Sequence, residues 1–230
     1  MAFSSSNVER WRTSCRKWAA VYAEKFGVQL DESWLLALIS HESGGDPTNH
    51  PPGSTAHRGL GQVGAQALED YNAANSDAYV AWEWLLDADH GDDQVRVVAW
   101  LVASGRKVVR QWVLPDATTN TDLWADARYG WGGLNLHNAI DDYRVKYGRS
   151  PTFDELATEL PDAGKPHVRP WYHARTVAAH AQADRDAGGP ATCPFPGTAP
   201  VADLVASCDR SCCDRRARGG DCPAGAAQKG

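Results

Sequence analysis

Glu42 is the residue of this 230-residue chain whose placement most suggests chemistry. It follows Leu38 by four residues and Leu35 by seven, so it continues the apolar stripe of a helix instead of facing solvent. It also falls in the last helical turn, before Gly44 and Gly45, where the helix dipole disfavours negative charge. Desolvation and the dipole act in the same direction, so both should raise its pKa and hold a proton near neutral pH, as a general acid requires. A partly exposed Glu at a frayed helix end is the plainer reading of the same pattern. Asp87, Asp89, Asp92 and Asp93 offer hard oxygens to calcium, but they lack the ligand pattern of an EF-hand, so a solvated acidic loop is expected and no metal is assigned. His173 and His180, seven apart on one helix, read as surface histidines, and His41-Glu42 does not open a zincin motif because no His follows at the required spacing.

The elements that would carry these groups are helices. Ser6 and Glu9 have the spacing of a capping box, and Val8, Trp11, Cys15, Trp18, Tyr22 and Phe26 behind them predict one amphipathic helix that Gly27 can end. Asp31 can cap the next, with Trp34, Leu35, Leu38 and Ile39 inward until Gly44, Gly45 and Pro47 stop it. Residues 46 to 61 read as a loop. Helical patterns return at Ala65 to Ala74, Ala78 to Leu86, Val95 to Val113, Leu123 to Tyr129 and Leu136 to Tyr147. Thr152 and Glu155 form a second capping box, and a last helix runs from about Val168 to Ala187 with Trp171, Ala174, Ala178 and Ala181 inward. No strand pattern exceeds a few residues, so the fold class is all-α.

Composition bounds the setting. Hydrophobic residues are 43% and charged residues 23%, which suits a globular chain and excludes extended disorder for most of it. No apolar run approaches the roughly 18 residues of a membrane span, so no membrane insertion is expected. The net charge of -6 argues against nucleic acid as a partner and against a cationic lysin drawn to anionic walls by bulk charge. The N-terminal Met-Ala-Phe-Ser-Ser-Ser lacks the basic patch and apolar stretch of a secretory signal, so work outside the cytoplasm would need delivery by another route. All ten Trp fall between Trp11 and Trp171, whereas five of the six Cys fall between Cys193 and Cys222. That change divides the chain into a helical domain, 1–187, and a Cys-rich, loop-rich tail, 188–230. Disulfides, zinc and reduced thiols all remain open for the tail, while Cys15 should be buried and unpaired on its helix.

The stretch Trp34-Leu-Leu-Ala-Leu-Ile-Ser-His-Glu42-Ser43-Gly44-Gly45, followed by Arg58-Gly59-Leu60-Gly61-Gln62-Val63, resembles the Glu-Ser and Gly-Leu-Met-Gln signatures of soluble lytic transglycosylases. Ala127-Arg-Tyr129-Gly-Trp-Gly-Gly133 resembles their Ala-Tyr-Asn-Ala-Gly motif, and Phe153 to Pro161 with Val168 to Val177 resembles their closing segment. The resemblance covers about residues 31 to 181 and implies a goose-type lysozyme-like fold. It also implies cleavage of peptidoglycan glycan strands between N-acetylmuramic acid and N-acetylglucosamine, leaving anhydromuramoyl ends, without a cofactor. In that chemistry Glu42 is the single catalytic acid and then base, because the nucleophile is the substrate's own 6-hydroxyl. Ser43 would hold the catalytic region by hydrogen bonds, Gln62 would contact the sugar, and Tyr129 would orient the acid or the substrate.

Two departures bear on the cleft: Gly61 stands where the motif has Met, and Gly130 where it has Asn, and both remove side chains from its lining. The stretch from Leu68 to Gln94 reads as an insertion that carries Trp82 and Trp84, either core residues or sugar-stacking faces. A bacteriophage virion or tail component that opens the cell wall is the favoured setting, with the Cys-rich tail docking onto other virion proteins. The alternatives are a structural virion protein with this fold and little turnover, and a hydrolytic muramidase using a second carboxylate such as Asp46, Asp126 or Asp141.

Overall fold

A computed structural model describes residues 6–51, 56–113, 121–161, 163 and 169–187. All belong to the first of two compact units, Met1–Ala191, into which the chain divides. The tail cysteines, and the choice among disulfides, zinc and free thiols, lie outside the described residues.

The described residues are mostly helical. In chain order they form α1 (Ser6–Glu9), α2 (Arg12–Phe26), α3 (Glu32–Ser43), a two-stranded antiparallel ribbon of β1 (His57–Arg58) and β2 (Val63–Gly64), α4 (Ala65–Ala74), and three short 3₁₀ turns. Then follow α5 (Gly91–Trp112), α6 (Thr121–Trp131), α7 (Gly133–Tyr147), α8 (Phe153–Glu159) and α9 (Pro170–Asp186). In the ribbon His57 pairs with Gly64 and Arg58 with Val63. The cap signals act as read for α3 and α8. Asp31 Oδ1 accepts the Trp34 N–H at 2.8 Å, and Thr152 and Glu155 close a reciprocal capping box. Gly44 ends α3 in the left-handed region at φ 62, which costs a residue without Cβ little.

Two apolar clusters result. Leu35, Leu36, Leu38, Ile39, Leu60 and Val98 lie in the first, built by α2 to α5. Trp124, Leu136, Ile140, Leu156 and Trp171 lie in the second, built by α6 to α8 and the start of α9. Phe153 meets Trp124 and Trp171 edge-on, each at 5.3 Å between ring centroids, a favoured aromatic geometry. Helix α9 serves both clusters, with Trp171 and Ala174 in the second and Val177 and Ala181 in the first. It therefore lies against α3 and α6 at the seam, where a polar group would face side chains from both.

Two helix expectations need correction. The first helix is not continuous: it breaks at Arg10 and Trp11, whose Nη2 and Nε1 both donate to the Gly45 carbonyl, at 3.0 and 2.9 Å. Residues 78 to 86 are not an α-helix but 3₁₀ turns at Ser76–Ala78 and Trp82–Leu86 with extended backbone between. Asn72 imposes that, since its side chain both accepts from the Val80 N–H and donates to the Val80 carbonyl, each at 2.9 Å. The acidic stretch is not a loop but a 3₁₀ turn and the start of α5, with Asp87 and Asp89 exposed and Asp92 and Asp93 partly so. Asp87 caps a turn through Asp89 N–H, Asp92 binds Lys17 and Trp18 Nε1, and Asp93 binds His90 and Arg96.

Candidate active site

Glu42 sits at the end of α3, and the backbone around it is held by its neighbours. Ser43 Oγ donates to the Ile39 carbonyl at 3.0 Å and accepts the Gly45 N–H at 3.2 Å, so it ties off the helix end. Asn49 Nδ2 donates to the Glu42 carbonyl at 3.3 Å, while the Asn49 carbonyl accepts Gly59 N–H at 2.8 Å and Gln62 Nε2 at 3.1 Å. Gln62 Nε2 also donates to the Gly59 carbonyl at 3.0 Å. Gln62 is the one described non-glycine residue with positive φ, at 47, and such backbone strain persists where surrounding bonds over-determine it. Its amide nitrogen is thus spent on the loop, which leaves the amide oxygen for a ligand. Asn49 had no distinguishing signal in the loop composition.

The floor of this loop explains the glycine at 61. A Cβ there would overlap Val98 Cγ2 and lie 2.7 Å from the Tyr129 hydroxyl, and Gly61 itself is buried. Tyr129 comes from α6 and donates its hydroxyl to the Gly61 carbonyl at 2.5 Å. Burial, then the charges of Glu42 and Asp126, push its phenol well above its ordinary pKa, so it stays a neutral donor. The charge of Glu42 reaches the Tyr129 phenol, but the hydrogen bond of Tyr129 goes to the loop. Gln94, 1% exposed on α5, carries the loop from below: its Oε1 accepts Leu60 N–H at 2.9 Å and its amide nitrogen faces the carbonyls of Trp84, Pro47 and Asp87.

His173 corrects the surface assignment. It is 8% exposed, with Nε2 2.8 Å from Glu42 Oε1 and Nδ1 2.6 Å from Asp126 Oδ2. Burial alone would lower its pKa, but the hydrogen bonds to Asp126 and Glu42 and their charges outweigh it and push His173 up to about 10. Both ring nitrogens therefore carry protons at neutral pH, and each donates to a carboxylate. His41 meets the His173 ring edge-on at 4.4 Å and is held below its ordinary pKa, first by burial and then by the neighbouring imidazolium. A usable signal existed: His173 is four residues before Val177 and eight before Ala181, on the same buried stripe. A local sequence pattern has no way to place against Glu42 an imidazole 131 residues away.

The side chain of Glu42 is 17% exposed, and among the described residues only its Oε1 has a hydrogen-bond partner, which leaves Oε2 on the open side. His180 lies on α9 and is exposed. In the segment 68–94, Trp82 lies beneath the Arg58 guanidinium, 4.4 Å from the ring centroid, while Trp84 stacks on His90 at 4.0 Å. Among the described residues no group of three or more His, Cys, Asp or Glu side chains is arranged to hold a metal ion, and no helix is long and apolar enough to cross a membrane. No family model, curated protein or solved structure matches this chain, so the side chains themselves carry the functional argument.

Proposed function

We propose that the helical unit is a peptidoglycan lytic transglycosylase on a lysozyme-like scaffold, with Glu42 as its catalytic acid and base. The observation that carries the reading is the single carboxylate at the end of α3, anchored through one oxygen and open at the other, beside the Gln62 loop and Tyr129. Glu42 Oε2–H donates its proton to the glycosidic oxygen as the bond to the anomeric carbon breaks. The carboxylate then takes the proton of the muramoyl 6-hydroxyl as that oxygen bonds to the same carbon, which closes the anhydro ring and restores the acid. No water is consumed, so no second carboxylate is required.

The hydrolytic alternative is less favoured by the geometry. Asp126 is 2% exposed and faces His173, Asp141 pairs with Arg144 on α7, and Asp46 turns Oδ1 to Thr48. Delivery by a larger particle, such as a phage virion, stays part of the proposal, since a chain of charge -6 gains nothing from an anionic wall. The test is digestion of purified peptidoglycan by wild type and Glu42→Gln, with muropeptides identified by mass spectrometry. Anhydromuramoyl products that fall about 10²–10⁴-fold in the variant are expected. Reducing ends would indicate a hydrolase, and no products from wild type would refute the enzyme reading.

A further inference from the structure

We infer that His173, fixed by Asp126, is a positioning residue that holds Glu42 Oε1, so that Glu42 cycles its proton on Oε2 alone. The inference rests on the transglycosylase reading of Glu42 and adds a residue that reading does not need. Three helices contribute one group each: Glu42 from α3, Asp126 from α6 and His173 from α9. The line runs 2.8 Å and then 2.6 Å through one imidazole ring at the seam of the two apolar clusters. Because Nδ1 is committed to a carboxylate with no exposed side-chain surface, the ring cannot turn to release Glu42 without stranding a buried charge.

The proton balance assigns the roles. When Glu42 gives its Oε2 proton to the leaving oxygen, the new carboxylate already lies against the imidazolium, so the charge developing in the transition state meets a preorganised donor. When Glu42 recovers a proton from the 6-hydroxyl, His173 again neither gains nor loses one. Around Glu42 stand His41 on its own helix, Tyr129 on α6 and His173 on α9, with Asp126 on α6 behind the imidazole and His180, further along α9, near His41. Of these, His173 is the one held as a cation at neutral pH by two carboxylates.

The test is the pH profile of kcat/KM on peptidoglycan for wild type, Asp126→Asn, His173→Gln and the double variant His173→Gln/Asp126→Asn. The double variant removes the buried cation and a buried anion together, so it keeps the test open where His173→Gln alone unfolds. With the His173 imidazole gone from Oε1, the limb on which activity declines should move up by about 1–3 pH units. A purely packing role would lower the rate without moving that limb. Folded variants with the wild-type limb overturn the inference and leave the transglycosylase intact, whereas wild type without anhydromuramoyl products overturns both.

Discussion

Replacing His173 by Gln should change how stability depends on pH, by an amount the structure allows to be worked out. In the unfolded chain this imidazole titrates near pH 6.5, and in the fold Asp126 and Glu42 push it up to about 10. Between these values the folded protein holds a proton that the unfolded chain has released. The stabilisation is therefore complete below about pH 6.5 and is lost as pH rises toward about 10. One proton difference corresponds to about 1.4 kcal/mol per pH unit, which between about pH 7 and pH 8.5 amounts to about 2 kcal/mol. The window stops there because buried Cys15, whose thiol is raised by desolvation, adds a loss of the same sign once unfolded thiols ionise. Urea unfolding followed by tryptophan fluorescence, in reductant, at several pH values across the window would measure this in wild type and variant. Wild type should lose about 2 kcal/mol more than His173→Gln. Two curves that run parallel to within about 0.5 kcal/mol would refute the idea that the ring is cationic in the fold.

Three other outcomes follow from the same geometry. Gly61→Ala should cost about 1–3 kcal/mol by overpacking against Val98 and the Tyr129 hydroxyl, read as a lower Tm, and Tyr129→Phe in the same chain should recover part of it. Gln94→Leu leaves the buried Leu60 N–H without its acceptor and should destabilise by about 1–3 kcal/mol in urea unfolding, with a further loss of activity as the Gln62 loop loosens. Cys15, 0% exposed and raised in pKa by burial, should stay unmodified by a thiol reagent in the native protein and react once it is unfolded, as peptide mass mapping would read.

Local signals in the sequence located most helices because the forces that set them are local. Asp31 and Thr152 cap what they precede, Ala65–Ala74 runs as its periodicity requires, and α5 and α7 differ from expectation only by a few residues at their ends. The break at Trp11 and the loss of helix over residues 78 to 86 come from side chains reaching distant backbone. Gly45 is 34 residues beyond Trp11, and a propensity argument has no access to such a bond. The place of Glu42 at the end of α3 is legible because one helix face and the glycines after it define it, whereas Gln62 and Tyr129 stand out only through the resemblance. His173 escapes a surface reading only through the buried stripe it shares with Val177 and Ala181, which its spacing of seven from the exposed His180 masks. Asp126 was considered only as a water-activating carboxylate, a role that its pairing with His173 leaves unsupported.

The two donors on the Gly45 carbonyl have a consequence for any dissection of this chain by deletion. Arg10 and Trp11 grip the backbone three residues beyond Glu42, and a Cβ on Gly45 would lie only 2.5 Å from the Asn7 carbonyl oxygen, so α1 rests directly on that turn. A shortened chain that begins after residue 11 keeps Glu42, Ser43, Gln62, Tyr129, Asp126 and His173, yet it frees the turn that aims the carboxylate. Under the proposed function, a truncation series would map a loss of activity onto a segment that carries none of these side chains, and an affinity tag fused close to Asn7 would disturb the Glu42 turn more than one at a distant surface.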